Sequence, residues 1–432
     1  MTPTDSGATY RSPKGTHDVM PPDSARWERL IGRFARRAEG SGYGLIVQPV
    51  FEHTEVFRRV GEGTDVVQKE MYEFVDRGDR ALVLRPEGTA AVMRAFVQHR
   101  PATPWKVWYV APHFRYERAQ KGRYRQHHQL GVEAIGTDDP ALDVEVVAMA
   151  EGFLRDLGLR DIRLLVNSLG DTTCRPGYVD LLRAYFAEHA DRLCNDSRGR
   201  YPTNPLRVLD CKRPECQEIA ERAPALFEHL CDPCREHFEG VQRGLDAIGV
   251  KYEIDPRLVR GLDYYTRTTF EFTSSSLDAA QNALGGGGRY DRLSEDMGAP
   301  PAPGIGFGLG VERLLIACDA EGTFALGVRG LDVFVVDAVG GDSGFEATVV
   351  LAHDLRETGL RVDRGFGGRS VKAQIKAADR SAATYTAIVA PEEWSRGMVV
   401  VKHMESGDQH EVPRDEVGAW VRTRIDSAGA RA

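Results

Sequence analysis

The segment Phe114–Gln129, F-R-Y-E-R-A-Q-K-G-R-Y-R-Q-H-H-Q, carries the densest chemistry in the chain. Between Arg115 and Arg125 five basic residues stand against one acid, a local excess of four positive charges. Guanidinium groups present forked donors that match phosphate oxygens, and they stack on flat rings. Phe114, Tyr116 and Tyr124 interleave with them, so the segment could hold a nucleotide by its phosphates and its base. On charge alone the same run also reads as a solvated hairpin with Gln120-Lys121-Gly122 at its tip.

Two glycine-rich stretches invite a phosphate-loop reading, and both fail it. Gly285–Gly288, followed by Arg289-Tyr290-Asp291, lacks the Lys-Ser/Thr pair that a P-loop requires. G-I-G-F-G-L-G at 304–310 places glycine at every second residue, which is not the G-x-G-x-x-G spacing. Alternating glycines instead fit a strand that another backbone or a flat ligand approaches closely. The strand runs into V-E-R-L, which puts Arg313 in the first turn of a helix. A second basic concentration lies between Arg361 and Arg380, with six Lys/Arg against two Asp.

Six of the seven cysteines fall between Cys174 and Cys234. Cys211 and Cys216 form C-x4-C, and Cys231 and Cys234 form C-x2-C. Four thiolates at such spacings could bind one zinc ion tetrahedrally, while reduced buried thiols are the plainer reading. Zinc is therefore not expected, and these four residues stand as a weak candidate set.

The elements that must position this chemistry follow from composition and periodicity. A length of 432 residues calls for two or three domains. The net charge of −8 excludes a globally basic nucleic-acid binder but leaves room for local basic patches. Hydrophobic residues make up 42% and charged residues 28%, which excludes wholesale disorder. With no long apolar run, no signal-like start and an odd cysteine count, the expectation is a soluble cytoplasmic protein with no membrane partner. Trp27, Leu30, Ile31 and Phe34 recur at helical spacing after Pro21-Pro22-Asp23-Ser24, where Asp23 or Ser24 can cap. Short apolar runs at 45–47, 81–84, 107–111 and 131–136 suit a largely antiparallel sheet, with helices near 90–99 and 143–157. The cysteine-bearing stretch, about 174–245, reads as a helical insertion. Beyond about residue 328, a β-α-β-α-β order in roughly a hundred residues predicts a small α/β domain with a mainly parallel sheet.

Several motifs, in order along nearly the whole chain, resemble those of the class II aminoacyl-tRNA synthetases. They are R-P-E-G-T at 85–89, F-R-Y-E-R at 114–118, and the alternating glycines ending in V-E-R-L at Leu314. L-I-V-Q-P-V-F-E at 45–52 is similar to that class's first motif, whose proline, here Pro49, belongs to a dimer interface. R-G-L-D-Y-Y at 260–265 and K-G-R-Y-R-Q-x-H-Q at 121–129 resemble the histidyl-tRNA synthetase family in particular.

The resemblance implies an α+β fold: an antiparallel-sheet class II catalytic domain over 1–328 with a helical insertion, and an α/β anticodon-binding domain over 329–432. It implies an ATP-dependent ligase that makes histidyl-adenylate with Mg²⁺ and passes histidine to its tRNA as a homodimer. Arg115 would hold the ATP α-phosphate, Glu117 the adenine amino group, Arg123 the distal phosphates, and Arg313 triphosphate and adenine. Glu87, Thr89 and Gln129 would bind the amino and carboxylate groups of histidine. Glu133 and Tyr264, with Tyr265 beside them, would read the two imidazole nitrogens, which need a partner each. Arg260 would stabilise charge on the α-phosphate, and the catalytic group is then Arg260, Arg115 and Gln129. Arg369, Lys372, Gln374 and Lys376 would meet tRNA, with Gln reading base edges and the cations holding the backbone. Ala390-Pro391-Glu392-Glu393-Trp394 departs from the family's usual turn, which puts the contact there in doubt. The alternative is a non-catalytic, histidine-sensing regulatory subunit of histidine biosynthesis on a synthetase-like fold. Such paralogues erode the ATP-site motifs and lack the last domain, both of which are present here.

Overall fold

A computed structural model describes residues 10–61, 64, 66–118, 120, 122–277, 282–325 and 330–429. The chain divides into two compact units, Met1–Ala325 and Leu326–Ala432. The boundary expected between residues 328 and 329, the tip residue Lys121 and most of the N-terminal tail lie outside the described residues.

Eight strands build the sheet of the first unit. In chain order they are β1 (Gly44–Leu45), β2 (Trp105–Phe114), β3 (Gln126–Ile135), β4 (Ile162–Ser168), β5 (Glu253–Ile254), β6 (Thr266–Ser274), β7 (Ala283–Arg289) and β8 (Gly304–Gly310). Their spatial order is β1-β2-β3-β8-β7-β6-β4-β5. The six inner strands pair antiparallel, and only the two-residue strands at the edges add parallel pairs. The long β2–β3 hairpin runs in continuous register from Trp105↔Ile135 to Phe114↔Gln126, and its loop is the arginine-rich segment.

One face of this sheet is covered by helices α1 (Asp23–Gly40), α3 (Pro140–Asp156) and α6 (Val311–Glu321), with α2 (Thr89–His99) and the insertion helices α4 (Arg175–Glu188) and α5 (Asp232–Ala247) completing the unit. Leu30 and Phe34 of α1 are fully buried against Phe153 of α3, Trp108 and Phe307. Trp27 and Ile31 pack at the margin of that core. The cap of α1 differs from expectation: Pro22 is the N-cap, Asp23 and Ser24 lie inside the helix, and no side chain caps it. Ser24 N instead donates to Met20 O, so the preceding turn supplies the acceptor.

Between α4 and α5 the insertion is wholly helical, with short helices at Asn195–Arg200, Leu206–Leu209 and Pro214–Ala220. A buried ion pair ties it to the sheet. Asp143 of α3 accepts from His237 Nε2 at 2.6 Å, Thr268 Oγ1 at 2.6 Å and Arg289 Nε at 3.0 Å. Both Asp143 and Arg289 are fully buried, so each depends on the other to offset its lost hydration.

The second unit has strands β9 (Val333–Asp337), β10 (Val362–Arg364), β11 (Tyr385–Val389), β12 (Met398–His403) and β13 (Gln409–Pro413), in the order β10-β9-β11-β12-β13. Helices α7 (Gly341–Glu357), α8 (Val371–Arg380) and α9 (Val417–Gly429) complete it. The first three strands are parallel, as the β-α-β-α-β order requires. The sheet as a whole is mixed, because β12 and β13 add two antiparallel pairs that the sequence reading missed.

Candidate active site

A cleft of about 320 Å³ opens over β3, β7 and β8. Its floor is flat because β8 offers glycine wherever it faces the cleft, and side chains from neighbouring strands lie across it. Gln129 and Gly310 are register partners, as are Glu133 and Gly306. A Cβ on Gly306 would come within 1.9 Å of Glu133 Oε2, so this position admits glycine only. Gly131 serves Tyr109 in the same way across the β2–β3 pair, where an added Cβ would sit 2.3 Å from the ring.

One end of the cleft is made of carboxylates and phenols. Glu87 precedes α2, and its two oxygens accept from Thr89 N at 2.6 Å and Ala90 N at 2.8 Å. The carboxylate thus satisfies orphan amides of the helix's first turn and faces its positive end. Tyr264 donates to Glu87 Oε2 at 3.3 Å, and the Tyr264 and Tyr265 ring centroids are 4.8 Å apart. Glu133 is fully buried one layer below the open surface. It accepts from Thr89 Oγ1 at 2.8 Å, Tyr109 OH at 3.3 Å and Tyr290 OH. Burial pushes its carboxyl up to about 8, with the Tyr290 and Thr89 hydroxyls pulling the other way. Burial likewise raises Glu87 above the usual carboxylate range. This end can therefore hold protons near neutral pH and match a polar, nitrogen-bearing side chain.

The other end is basic. Arg115 Nε donates to Pro86 O at 2.9 Å, and its side chain lines the cleft. Arg123 pairs with Glu117 at 3.2 Å. Arg313, in the first turn of α6, donates to Gly122 O at 3.0 Å and Ala283 O at 2.8 Å, bridging the arginine loop to β7. Arg125 stacks 3.9 Å from the centre of the Tyr116 ring. His127 adds no charge here, because burial and the nearby Arg115 hold it down at about 3. Arg260, between the two ends, pairs with Glu271 of β6. Its loop is held from the insertion: Arg207 donates to Arg260 O at 3.0 Å, Gly261 O at 2.8 Å and Asp263 Oδ1 at 2.8 Å, and Arg175 Nη1 donates to Tyr265 O at 2.8 Å.

Of the residues named from sequence, Glu87, Thr89, Arg115, Glu117, Arg123, Gln129, Arg260, Tyr264, Tyr265 and Arg313 all line this one cleft, and Glu133 lies directly beneath. Sequence reasoning passed over Tyr109, Tyr290, Glu271, Arg207 and Glu312, the last accepting from His128 N at 3.0 Å. Tyr290 had a signal, since it directly follows the glycine run. Tyr109 sits in an apolar strand run that reads as core.

Two expectations need correction. Cys211, Cys216, Cys231 and Cys234 do not come together. Cys211 and Cys216 join Cys194, whereas Cys231 and Cys234 join Cys174 and Asp171. In the second unit, Arg369, Lys372 and Lys376 are exposed but Gln374 is buried. Its amide accepts from Asp337 N at 2.9 Å and donates to Asp337 O at 2.9 Å and Arg369 O at 2.8 Å. Both amide hydrogens of Gln374 are used inside the unit and the side chain is buried, so it is not presented to a base edge.

A six-strand antiparallel core with one arginine at the root of a hairpin loop and another opening the helix after the last strand defines a class II aminoacyl-tRNA synthetase. The family model described as histidyl-tRNA synthetase matches residues 15–172 and 204–314, and a model of the anticodon binding domain matches 332–424. The chain is 51% identical over 414 residues to histidine--tRNA ligase of Rhodococcus erythropolis, covering 95% of this chain and 97% of that one. It is 50% identical over 422 residues to histidine--tRNA ligase of Nocardia farcinica, covering 97% and 99%. The crystal structure of apo histidyl-tRNA synthetase from S. aureus superposes with a TM-score of 0.81 at 36% identity, covering 96% of this chain and 100% of that one. The chain belongs to the histidyl-tRNA synthetase family.

Proposed function

We infer that this chain joins histidine to its tRNA using ATP, by way of an enzyme-bound histidyl-adenylate. The observation that carries this reading is the cleft's polarity: Arg115, Arg260 and Arg313 line one cavity with Glu87, Thr89, Gln129 and Tyr264. An anion such as a triphosphate suits the first group, and an amino acid with a polar ring suits the second.

In the first step a carboxylate oxygen of histidine attacks the ATP α-phosphorus, and pyrophosphate leaves with the electrons of the broken P–O bond. The nucleophile is already ionised, so the protein's task is to align the reactants and stabilise the charge that develops. Arg115 and Arg260 serve the α-phosphate, Arg123 and Arg313 the outgoing phosphates, and Glu117 the adenine. Glu271 and Glu312 are the cleft carboxylates that fit a hard cation, and Mg²⁺ bound with ATP would neutralise phosphate charge there. Glu87, Thr89 and Gln129 hold the amino acid's backbone groups. Tyr264 and the protonated or ionised Glu133 supply the hydrogen-bond partners that an imidazole needs at two nitrogens. A pocket with buried polar groups rejects side chains that cannot pair them. In the second step the terminal adenosine hydroxyl of tRNA attacks the activated carbonyl, the acyl C–O bond to phosphate breaks with its electrons leaving on AMP, and the hydroxyl proton passes to solvent.

The same reading makes the enzyme a cytoplasmic homodimer. Leu45, Val47, Val50 and Phe51, flanking Pro49 in sequence, are exposed, as are Phe74 and Val75, and the Phe51 and Phe74 rings meet at 6.4 Å in a three-stranded sheet of Phe51–His53, Ala81–Leu84 and Tyr72–Val75. Contiguous exposed apolar surface of this kind suits a subunit interface. No helix among the described residues is long and apolar enough to cross a membrane. A non-catalytic sensor gains no support, because the arginines that would serve ATP all reach the cleft. Histidine-dependent exchange of pyrophosphate into ATP tests the reading, and Arg260→Ala is its control.

A further inference from the structure

The insertion brings Asp171, Cys174, Cys231 and Cys234 into one cluster whose four ligand atoms all lie within 4.8 Å of one another. Cys174 Sγ is 3.6 Å and Cys231 Sγ 3.7 Å from Asp171 Oδ1. A tetrahedral zinc ion, with Zn–S of about 2.3 Å and Zn–O of about 2.0 Å, separates sulfur from oxygen by roughly 3.5 Å and sulfur from sulfur by roughly 3.8 Å. The donors thus already stand near the corners of such a site.

The sequence arrangement fits as well. D-x2-C and C-x2-C each supply two ligands, with Cys174 at the N-cap of α4 and Cys231 at the N-cap of α5. Three thiolates and a carboxylate around a dication leave two negative charges, and two guanidiniums are at hand. Arg175 faces Cys174, and Arg267 faces both Cys234 and Asp171.

We propose that Asp171, Cys174, Cys231 and Cys234 form a tetrahedral zinc site that fastens both ends of the insertion to the catalytic sheet. Asp171 follows β4, and Cys174 adjoins Arg175, whose guanidinium holds the Tyr265 carbonyl. The ion therefore fixes α4 and α5 against the strand end that positions Tyr264 and Tyr265. Four protein donors fill its coordination, so its role is structural, with no open position for substrate. Among the described residues, the other thiol cluster has no fourth ionisable donor. Cys194 and Cys211 are 3.8 Å apart, but the group between Cys194 and Cys216 is the neutral Ser197 hydroxyl, 3.3 Å and 3.5 Å from their sulfurs. That cluster serves as the internal control.

The test is zinc content by mass spectrometry of the full chain purified without chelator under reducing conditions. About one zinc per chain is expected in the wild type and in Cys194→Ser/Cys211→Ser, falling below about 0.2 in Cys231→Ser/Cys234→Ser. A wild type that carries two ions and loses one in the Cys231→Ser/Cys234→Ser variant supports the site equally. Because that variant could misfold, cobalt(II) is also exchanged into the wild-type protein and into Asp171→Asn. Strong tetrahedral d–d bands and sulfur-to-cobalt charge transfer are expected in the wild type, with the d–d bands altered in Asp171→Asn. Wild-type zinc below about 0.2 per chain, zinc lost only with Cys194 and Cys211, or cobalt spectra that ignore Asp171 would each overturn the proposal.

Discussion

Glu133 and Gly306 face each other across adjacent antiparallel strands, and the Glu133 carboxylate occupies the space where a Cβ of Gly306 would stand, 1.9 Å from Oε2. The strand that reads as a failed nucleotide loop is therefore a platform for the acid beneath the amino-acid end of the cleft. Gly306→Ala should displace Glu133 from Tyr290, Tyr109 and Thr89 together. A misplacement of about 1 Å near reacting groups costs about a hundredfold in rate. Histidine-dependent pyrophosphate exchange should fall by at least that factor, with KM for histidine raised and KM for ATP little changed. An equal rise in both KM values would place the damage elsewhere.

The raised carboxyl of Glu133 makes stability depend on pH. In the unfolded chain this group releases its proton near the ordinary 4.5, whereas in the folded chain it keeps it up to about 8. Between those values the folded state binds more protons, so stability is full below the lower value and is lost as pH rises through the upper one. Ligand-free wild type should lose stability relative to Glu133→Gln as pH rises between about pH 5 and pH 8, at up to about 1.4 kcal/mol per pH unit, with the loss levelling off above that. Parallel denaturation curves for the two proteins across that window would show that Glu133 is ionised throughout.

Asp143 and Arg289 form a fully buried pair to which His237 brings the insertion and Thr268 brings β6. Asp143→Ala leaves the buried Arg289 guanidinium with only Asp291, 3.2 Å from Nη1, as counter-charge, and losing one partner of a buried pair costs up to about 3–5 kcal/mol. Denaturant melts should register that loss. A change below about 1 kcal/mol would mean that water reaches Arg289.

In the second unit Lys372 and Lys376 share an exposed face of α8, while Gln374 and Ala378 share its buried face. Lys372→Glu/Lys376→Glu should lower kcat/KM for tRNA by roughly ten- to a hundredfold, each decade being about 1.4 kcal/mol. Pyrophosphate exchange, which needs no tRNA, should be unchanged. Gln374→Ala should instead lower the melting temperature of this unit, since it strands Asp337 N. Equal tRNA defects in the two variants would contradict the division of faces.

Sequence was informative where the chemistry is local. Arg115, Glu117, Arg123 and Gln129 sit on one hairpin, and Arg313 lies in the first turn of the helix right after β8, so short stretches of sequence already bring them to one cleft. It was silent where partners arrive from afar. Glu271 reaches Arg260, and Arg207 reaches the same loop from an inserted helix, through contacts that no local pattern encodes. The cysteines show the same limit. C-x4-C and C-x2-C give each pair its spacing but not the distant Cys194 or Cys174 that each pair meets. Gln374 was readable in part, since it lies four residues before Ala378, and that spacing puts both on one helix face. The antiparallel half of the second sheet is less legible: V-V-V-K-H at 399–403 has strand character, but nothing in the local pattern fixes the direction in which it pairs.

The most direct measurement is pyrophosphate exchange into ATP with each of the twenty amino acids, run on the wild type and on Arg260→Ala. Histidine alone should support exchange by the wild type. Arg260→Ala should lose that exchange by about two to three orders of magnitude, the scale for removing one group that stabilises transition-state charge, while remaining folded. Exchange with another amino acid at a comparable rate, no exchange with histidine, or normal exchange by Arg260→Ala would contradict the account.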